Sequence, residues 1–161
     1  MHPNETVIAD FYTAFQKHDA AGMVIHYAPT IHFSDSVFVD LHGSQAVAMW
    51  QMLAGRTTDL ALTFDAIKAD DQRGSAHWEG IYTFSKTGRK VHNKVDAQFI
   101  FKNGKIVDHH DQFDLWAWTR MALGTSGLLL GWTPFLQHKV QHESMETLAS
   151  YLQKHPQLSG V

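Results

Sequence analysis

The chain has 161 residues, is 44% apolar and 18% charged, and carries a net charge of −3. That length supports one domain with a sizeable core, and the composition excludes a disordered chain. A slightly acidic balance without a basic stretch argues against a nucleic-acid partner, and the absence of cysteine excludes disulfides and thiolate catalysis. No apolar run reaches the roughly 18 residues that span a bilayer. The opening Met-His-Pro-Asn-Glu lacks the basic start and apolar core of an export signal, so a cytoplasmic location is expected. Twelve histidines are the one compositional oddity. They are read as surface and polar-core groups, because no metal-binding spacing motif is present.

In chain order, Asn4 is placed to cap a helix over 4–17 with Val7, Ile8, Phe11, Ala14 and Phe15 as its apolar stripe. The break at Lys17-His18-Asp19 leads to a second short helix over 19–27, ended near Pro29. Ile31–Asp35 alternates as a strand, with Ile31, Phe33 and Asp35 on one side. After a turn at His42-Gly43, Ser44 is placed to cap a helix over 44–54 carrying Val47, Met49, Trp50 and Leu53. Strands are expected over 59–68, 75–85 and 90–102, joined by turns at Asp70–Gly74 and Lys86-Thr87-Gly88. Asn103-Gly104 suits a type I′ turn into a last strand over 105–115. Helices followed by a meander form an α+β pattern, with one strongly curved, mostly antiparallel sheet wrapped around the helices.

The last strand is the most informative segment. Alternation puts Val107, His109, Asp111 and Phe113 on one face, and Ile106, Asp108, His110 and Gln112 on the other. If the first face is buried, an imidazole and a carboxylate lie side by side among apolar residues, where a charge needs a partner or a purpose. The carboxylate could hold the imidazole in one tautomer, as a proton shuttle or as a satisfied polar island in the core. Asp35 shares a face with Ile31 and Phe33, so burial should raise its pKa toward that of a general base near neutrality. The competing reading is a turn residue capping the bend at Ser36. Phe11, Tyr12, Trp50, Trp78, Phe99 and Phe113 are expected to wall an apolar chamber, or simply to be core.

Beyond Asp114 the chain turns apolar, with Leu115–Trp118 and Leu128–Trp132 around a Gly124–Gly127 break. Thr133-Pro134 then starts a helix over 134–153, with Leu136, Val140, Leu148 and Leu152 as its stripe. This segment holds too much apolar surface to leave in water and is too broken to bury it alone. The expected division is therefore a domain over 1–118 and an extension over 119–161 packed on it or on a partner subunit, with Leu128–Trp132 closing one end of the chamber.

Several of these residues carry a resemblance. Tyr27-Ala28 ahead of a strand ending in Asp35, His42-Gly43-Ser44 opening a helix, and Asn103-Gly104-Lys105-Ile106 before the last strand resemble the nuclear transport factor 2-like superfamily over roughly residues 4–118. They look most like its SnoaL-like and ketosteroid-isomerase-like branch, with limonene epoxide hydrolase a further relative. The resemblance implies a cone with an apolar pocket, and a homodimer. Asp35 matches the general base of ketosteroid isomerases. Phe11 stands where their oxyanion tyrosine would be, Trp50 replaces a supporting tyrosine, and Ala97 or Asp96 falls at the acid donor. Asp111 matches a catalytic aspartate of the epoxide hydrolases, but no Arg-x-Asp pair lies near Trp78-Glu79-Gly80. The expectation is a protein that acts on or binds a small apolar molecule. It would use Asp35, Asp111 and His109 for acid/base chemistry as an isomerase, cyclase or hydrolase, with neither cofactor nor metal. The alternative is a non-catalytic binder.

Overall fold

The computed structural model of the chain describes residues 1–158 and starts with α1 (Pro3–Gln16). Its cap is His2 rather than Asn4: the His2 ring accepts the Asn4 N–H while Glu5 reaches back to the His2 amide, a capping box. Asn4 is buried instead, and its amide donates to the Asp70 carbonyl at 2.8 Å, tying α1 to a distant turn. α2 (Ala20–Val24) stops earlier than expected, and β1 (Tyr27–Ser34) begins where the second helix was expected to continue. β2 (Leu41–His42) precedes α3 (Ser44–Arg56), whose N-cap is Gly43 rather than Ser44. Gly43 has a positive φ of 55°, and its N–H bonds back to Ile31 of β1.

The meander follows as β3 (Ala61–Ala69), β4 (Arg73–Phe84), β5 (Arg89–Lys102) and β6 (Lys105–Gln112). Asn103 and Gly104 have φ values of 52° and 73°, as a type I′ turn requires. The strand order is β2-β1-β6-β5-β4-β3, and every pairing is antiparallel except β1 with β6. The sheet curls around α1. Phe11 touches the rings of Tyr27 in β1 and His109 in β6, while its neighbour Tyr12 touches Phe64, Trp78 and Phe99 in β3, β4 and β5. One helical turn can reach five strands only if the sheet folds round it.

Past Asp114 the chain forms α4 (Leu115–Leu123), α5 (Thr125–Leu130) and α6 (Pro134–Lys154). The expected boundary at residue 118 falls inside α4, and residues 159–161 of the expected extension lie outside the described residues. Leu115, Trp118 and Ala122 of α4 are buried, with the Trp118 ring packed on Phe84 at 5.2 Å. By contrast, Leu128, Leu129, Leu130 and Trp132 are exposed, so α4 and not that segment covers this end of the sheet. No helix among the described residues is long and apolar enough to cross a membrane.

Candidate active site

The site grows out of a fault in β6. The β5–β6 register shifts by one residue: Phe101 faces Ile106 while Ile100 faces Asp108, which makes Val107 a bulge. The expected alternation therefore breaks at Val107. Ile106, His109 and Asp111 are buried, whereas Val107 and Asp108 are only partly covered. From His109 onward the expected phase holds.

His109 has no exposed surface and is boxed by Phe11, Tyr27, Phe33, Trp50 and Phe99, with the Phe99 ring closest at 4.4 Å. Both its nitrogens are used. Nδ1 lies 2.8 Å from the Tyr27 hydroxyl, and Nε2 lies 2.8 Å from Asp111 Oδ1. The Tyr27 oxygen also accepts the indole N–H of Trp50 at 2.7 Å. An indole nitrogen only donates, which fixes the direction of the whole chain. Trp50 donates to Tyr27, Tyr27 donates to Nδ1, and the remaining N–H on Nε2 donates to Asp111. This tautomer is assigned from the bonding network. All the donors point toward one carboxylate.

Asp111, 2% exposed, sits beside Ala97 on β5. Asp35 lies just past the end of β1, where its carboxylate accepts the amides of Val37 (2.7 Å) and Phe38 (2.6 Å), so the turn-capping reading holds. Its pKa is nevertheless pushed up to about 7, because burial outweighs the two amide bonds and the Asp111 charge adds to it. The residue as a whole is half-buried, but the carboxylate is its enclosed part. Burial also raises the Tyr82 phenol, and the Asp35 charge adds to that shift; Tyr82 itself accepts the Trp118 indole N–H at 2.8 Å. Asp111 thus acts on Asp35 and Asp35 on Tyr82, whose hydroxyl lies against Trp118 of α4.

Two buried donors beside this group have no partner among the described residues, the Tyr12 hydroxyl and the Trp78 indole N–H. Burial raises the Tyr12 phenol well above its ordinary range, and the Asp111 charge raises it further. The Tyr12 and Trp78 rings pack 6.3 Å apart. Of the expected wall, Phe11, Trp50 and Phe99 enclose His109 as packed core, whereas Tyr12 and Trp78 bring unused polar atoms. Phe113 lies beyond β6, partly buried, its carbonyl accepting the Ser36 hydroxyl. A surface hollow of about 380 Å³ between α3 and α6, lined by Arg56, Glu143, Glu146 and Tyr151, is separate from this group.

Sequence reasoning missed three residues. Tyr27 falls in the helix expected over 19–27, yet it opens β1 and forms the middle of the hydrogen-bond chain. Tyr82 follows Trp78 and Gly80 at period two along β4, so alternation alone could have placed it on the inner face. Asn93 is a buried amide between Val91 and Val95 on the inner face of β5. A polar residue at an apolar phase was the available signal.

A family profile described as SnoaL-like domain matches residues 8–109. The chain belongs to the SnoaL-like domain family. No protein with a curated description matches this SnoaL-like chain significantly. Among solved structures it resembles a putative SnoaL-like polyketide cyclase from Jannaschia sp. CCS1, with a TM-score of 0.67 and 11% identity over 76% of this chain and 92% of that one. It also resembles a nuclear transport factor 2-like protein of unknown function from Burkholderia pseudomallei, with a TM-score of 0.66 and 21% identity over 75% and 98%. A limonene-epoxide-hydrolase-like enzyme of M. tuberculosis gives 0.63 and 17% identity over 80% and 96%. At these identities the SnoaL-like chain shares their fold.

Proposed function

We propose that this SnoaL-like chain is a cofactor-independent acid/base enzyme for a small apolar carbonyl compound or epoxide. The observation that carries this reading is the unequal pair of carboxylates. Asp111 is held by the N–H of His109, while Asp35, raised to about 7, exchanges its proton near neutrality. Two carboxyl groups in surroundings that differ in this way take different roles in one reaction. Asp35 transfers the proton and Asp111 stabilises or activates at the opposite side. Tyr12 and Trp78 then offer their unused O–H and N–H to the oxygen that gains negative charge.

The test is a pH–rate profile on a panel of cyclic ketones and epoxides. With Asp35 as base the rate rises through about pH 7, and Asp35→Asn or Asp111→Asn lowers it by about 10²–10⁴. A non-catalytic binder is the second reading, favoured by His109, whose two ring nitrogens are both already taken by Tyr27 and Asp111. Ligand binding seen by thermal shift that survives both substitutions, with no turnover, supports the binder instead. We also propose a homodimer that buries Leu128, Leu129, Trp132 and Phe135, which are exposed in the single chain. Sedimentation of wild type against Leu129→Glu checks it, with a monomeric wild type as the contrary result.

A further inference from the structure

On the outer face of the sheet, opposite the carboxylate pair, three side chains converge at the β1–β2 edge. The β1–β2 register sets His32 directly across from His42, and their rings lie 4.8 Å apart. Asp40 takes a positive φ of 60° just before β2, a conformation that costs a non-glycine residue energy. Its Oδ1 lies 2.8 Å from His32 Nε2 and 3.0 Å from His42 Nε2. All three potential ligand atoms lie within 4.8 Å of one another.

We propose that His32, Asp40 and His42 bind a divalent transition-metal ion of the zinc class. A tetrahedral ion with bonds of about 2.0–2.2 Å holds its ligand atoms roughly 3.3–3.5 Å apart, so small side-chain rotations admit it. Two imidazoles and one carboxylate suit zinc and its first-row neighbours, and exposure of Asp40 and His42 leaves the remaining position to water. A second, independent observation supports the site. The β1–β6 register sets Asp108 beside His32, and Asp108 Oδ2 lies 2.8 Å from His32 Nδ1. Metal-bound histidines are held in this way: a carboxylate takes the N–H of the far nitrogen and turns the near nitrogen toward the ion. Without an ion, His32 has to present an N–H to carboxylates on both sides. With one, Nε2 becomes a ligand and Asp108 keeps its bond.

The ion would fasten the two-residue strand β2 to β1 and pin the far end of the Asp35–Asp40 loop. Chelator-stripped full-length protein should take up one equivalent of Zn²⁺ by calorimetry. Its melting temperature should rise by about 5–10 °C at a hundredfold excess over Kd. Co²⁺ should give the visible bands of a four- or five-coordinate nitrogen–oxygen site. His42→Ala and Asp40→Asn, both at exposed positions, should each abolish stoichiometric binding. Asp108→Asn, which removes no ligand, should weaken it by about 10–100-fold. His138 and His142 stand one helical turn apart on α6 and offer a rival pair of imidazoles. Binding unchanged in His42→Ala and Asp40→Asn but lost in His138→Ala/His142→Ala would move the ion there and overturn the proposal. Absence of a one-to-one zinc complex in the wild type would overturn it as well.

Discussion

At Asp35 burial and hydrogen bonding oppose each other, and burial wins. In the unfolded chain this carboxyl ionises near 3.8, whereas in the fold it holds its proton to about 7. Its stabilising effect is therefore full below pH 3.8 and fades as pH rises through 7, since the native state then has to ionise an enclosed group. Asparagine keeps the two accepted amide bonds without the charge. Asp35→Asn should raise stability by about 1–3 kcal/mol at pH 8 and much less at pH 4, as read by urea unfolding at the two pH values. Tyr27→Phe should do the opposite. It strips the Trp50 N–H and His109 Nδ1 of their partner in a dry core, and denaturation should show a loss of about 1–3 kcal/mol. The His109–Asp111 pair was legible because strand alternation is local. Tyr27 was not, because its partner stands 82 positions away and nothing nearby signals it.

Among the elements, β5, β6 and their turn follow from alternation and from Asn103-Gly104. The bulge at Val107 does not, because a ladder fault depends on what the neighbouring strand does. α4 and α5 also escaped sequence reasoning. Their residues are apolar on several sides, so no stripe stands out, and only packing shows which face turns inward. α5 lies so close to α4 that a Cβ on Gly127 would overlap the Thr119 carbonyl, and one on Gly131 would overlap the Thr119 hydroxyl. Gly127→Ala gains about 1 kcal/mol of helix propensity yet meets backbone that cannot swing aside. A net loss of about 1–3 kcal/mol in thermal unfolding is expected, whereas the open position Gly55 should tolerate alanine.

Across the whole molecule, the outer face carries a second layer of paired charge. His77 bonds Asp96 and Glu79, Glu79 bonds His92, and His32 bonds Asp108 and Asp40. The neighbouring carboxylates, Asp108 and Asp96 foremost, raise the pKa values of His32 and His77 above 6.5. Their support is complete below 6.5 and is lost as pH climbs through the raised values. His partners in turn lower Asp40 and Glu79, whose support disappears as acid protonates them below about 3.8 and 4.5. Burial lowers His26, which works against stability in acid. The melting temperature should therefore peak between about pH 4.5 and 6.5, and a scan that keeps rising to pH 9 would contradict this balance. Cutting the chain after Asp114 removes buried Leu115, Trp118, Ala122 and Leu148. The large apolar side chains among these, Leu115, Trp118 and Leu148, contribute about 1.5–3 kcal/mol each, against typical total stabilities of about 5–15 kcal/mol. The truncated chain should show no cooperative melt by circular dichroism.

The parallel seam between β1 and β6 also sets an order in time. β1 emerges from the ribosome early, yet its inner neighbour is the last strand made, so residues 27–34 must wait for residues 105–112. The β3–β6 meander can form by successive local hairpins, while the seam requires closing a loop of dozens of residues. The rate-limiting step should therefore be docking of the N-terminal segment onto a finished meander. Tyr27–His109 and His32–Asp108 form together at that moment. Substitutions in the seam should slow refolding, while those in the β3–β4 hairpin, already made before the barrier, should leave the docking rate nearly unchanged. Until docking, β6 presents a bare hydrogen-bonding edge, the interval in which a newly made chain is most exposed to mispairing with another copy.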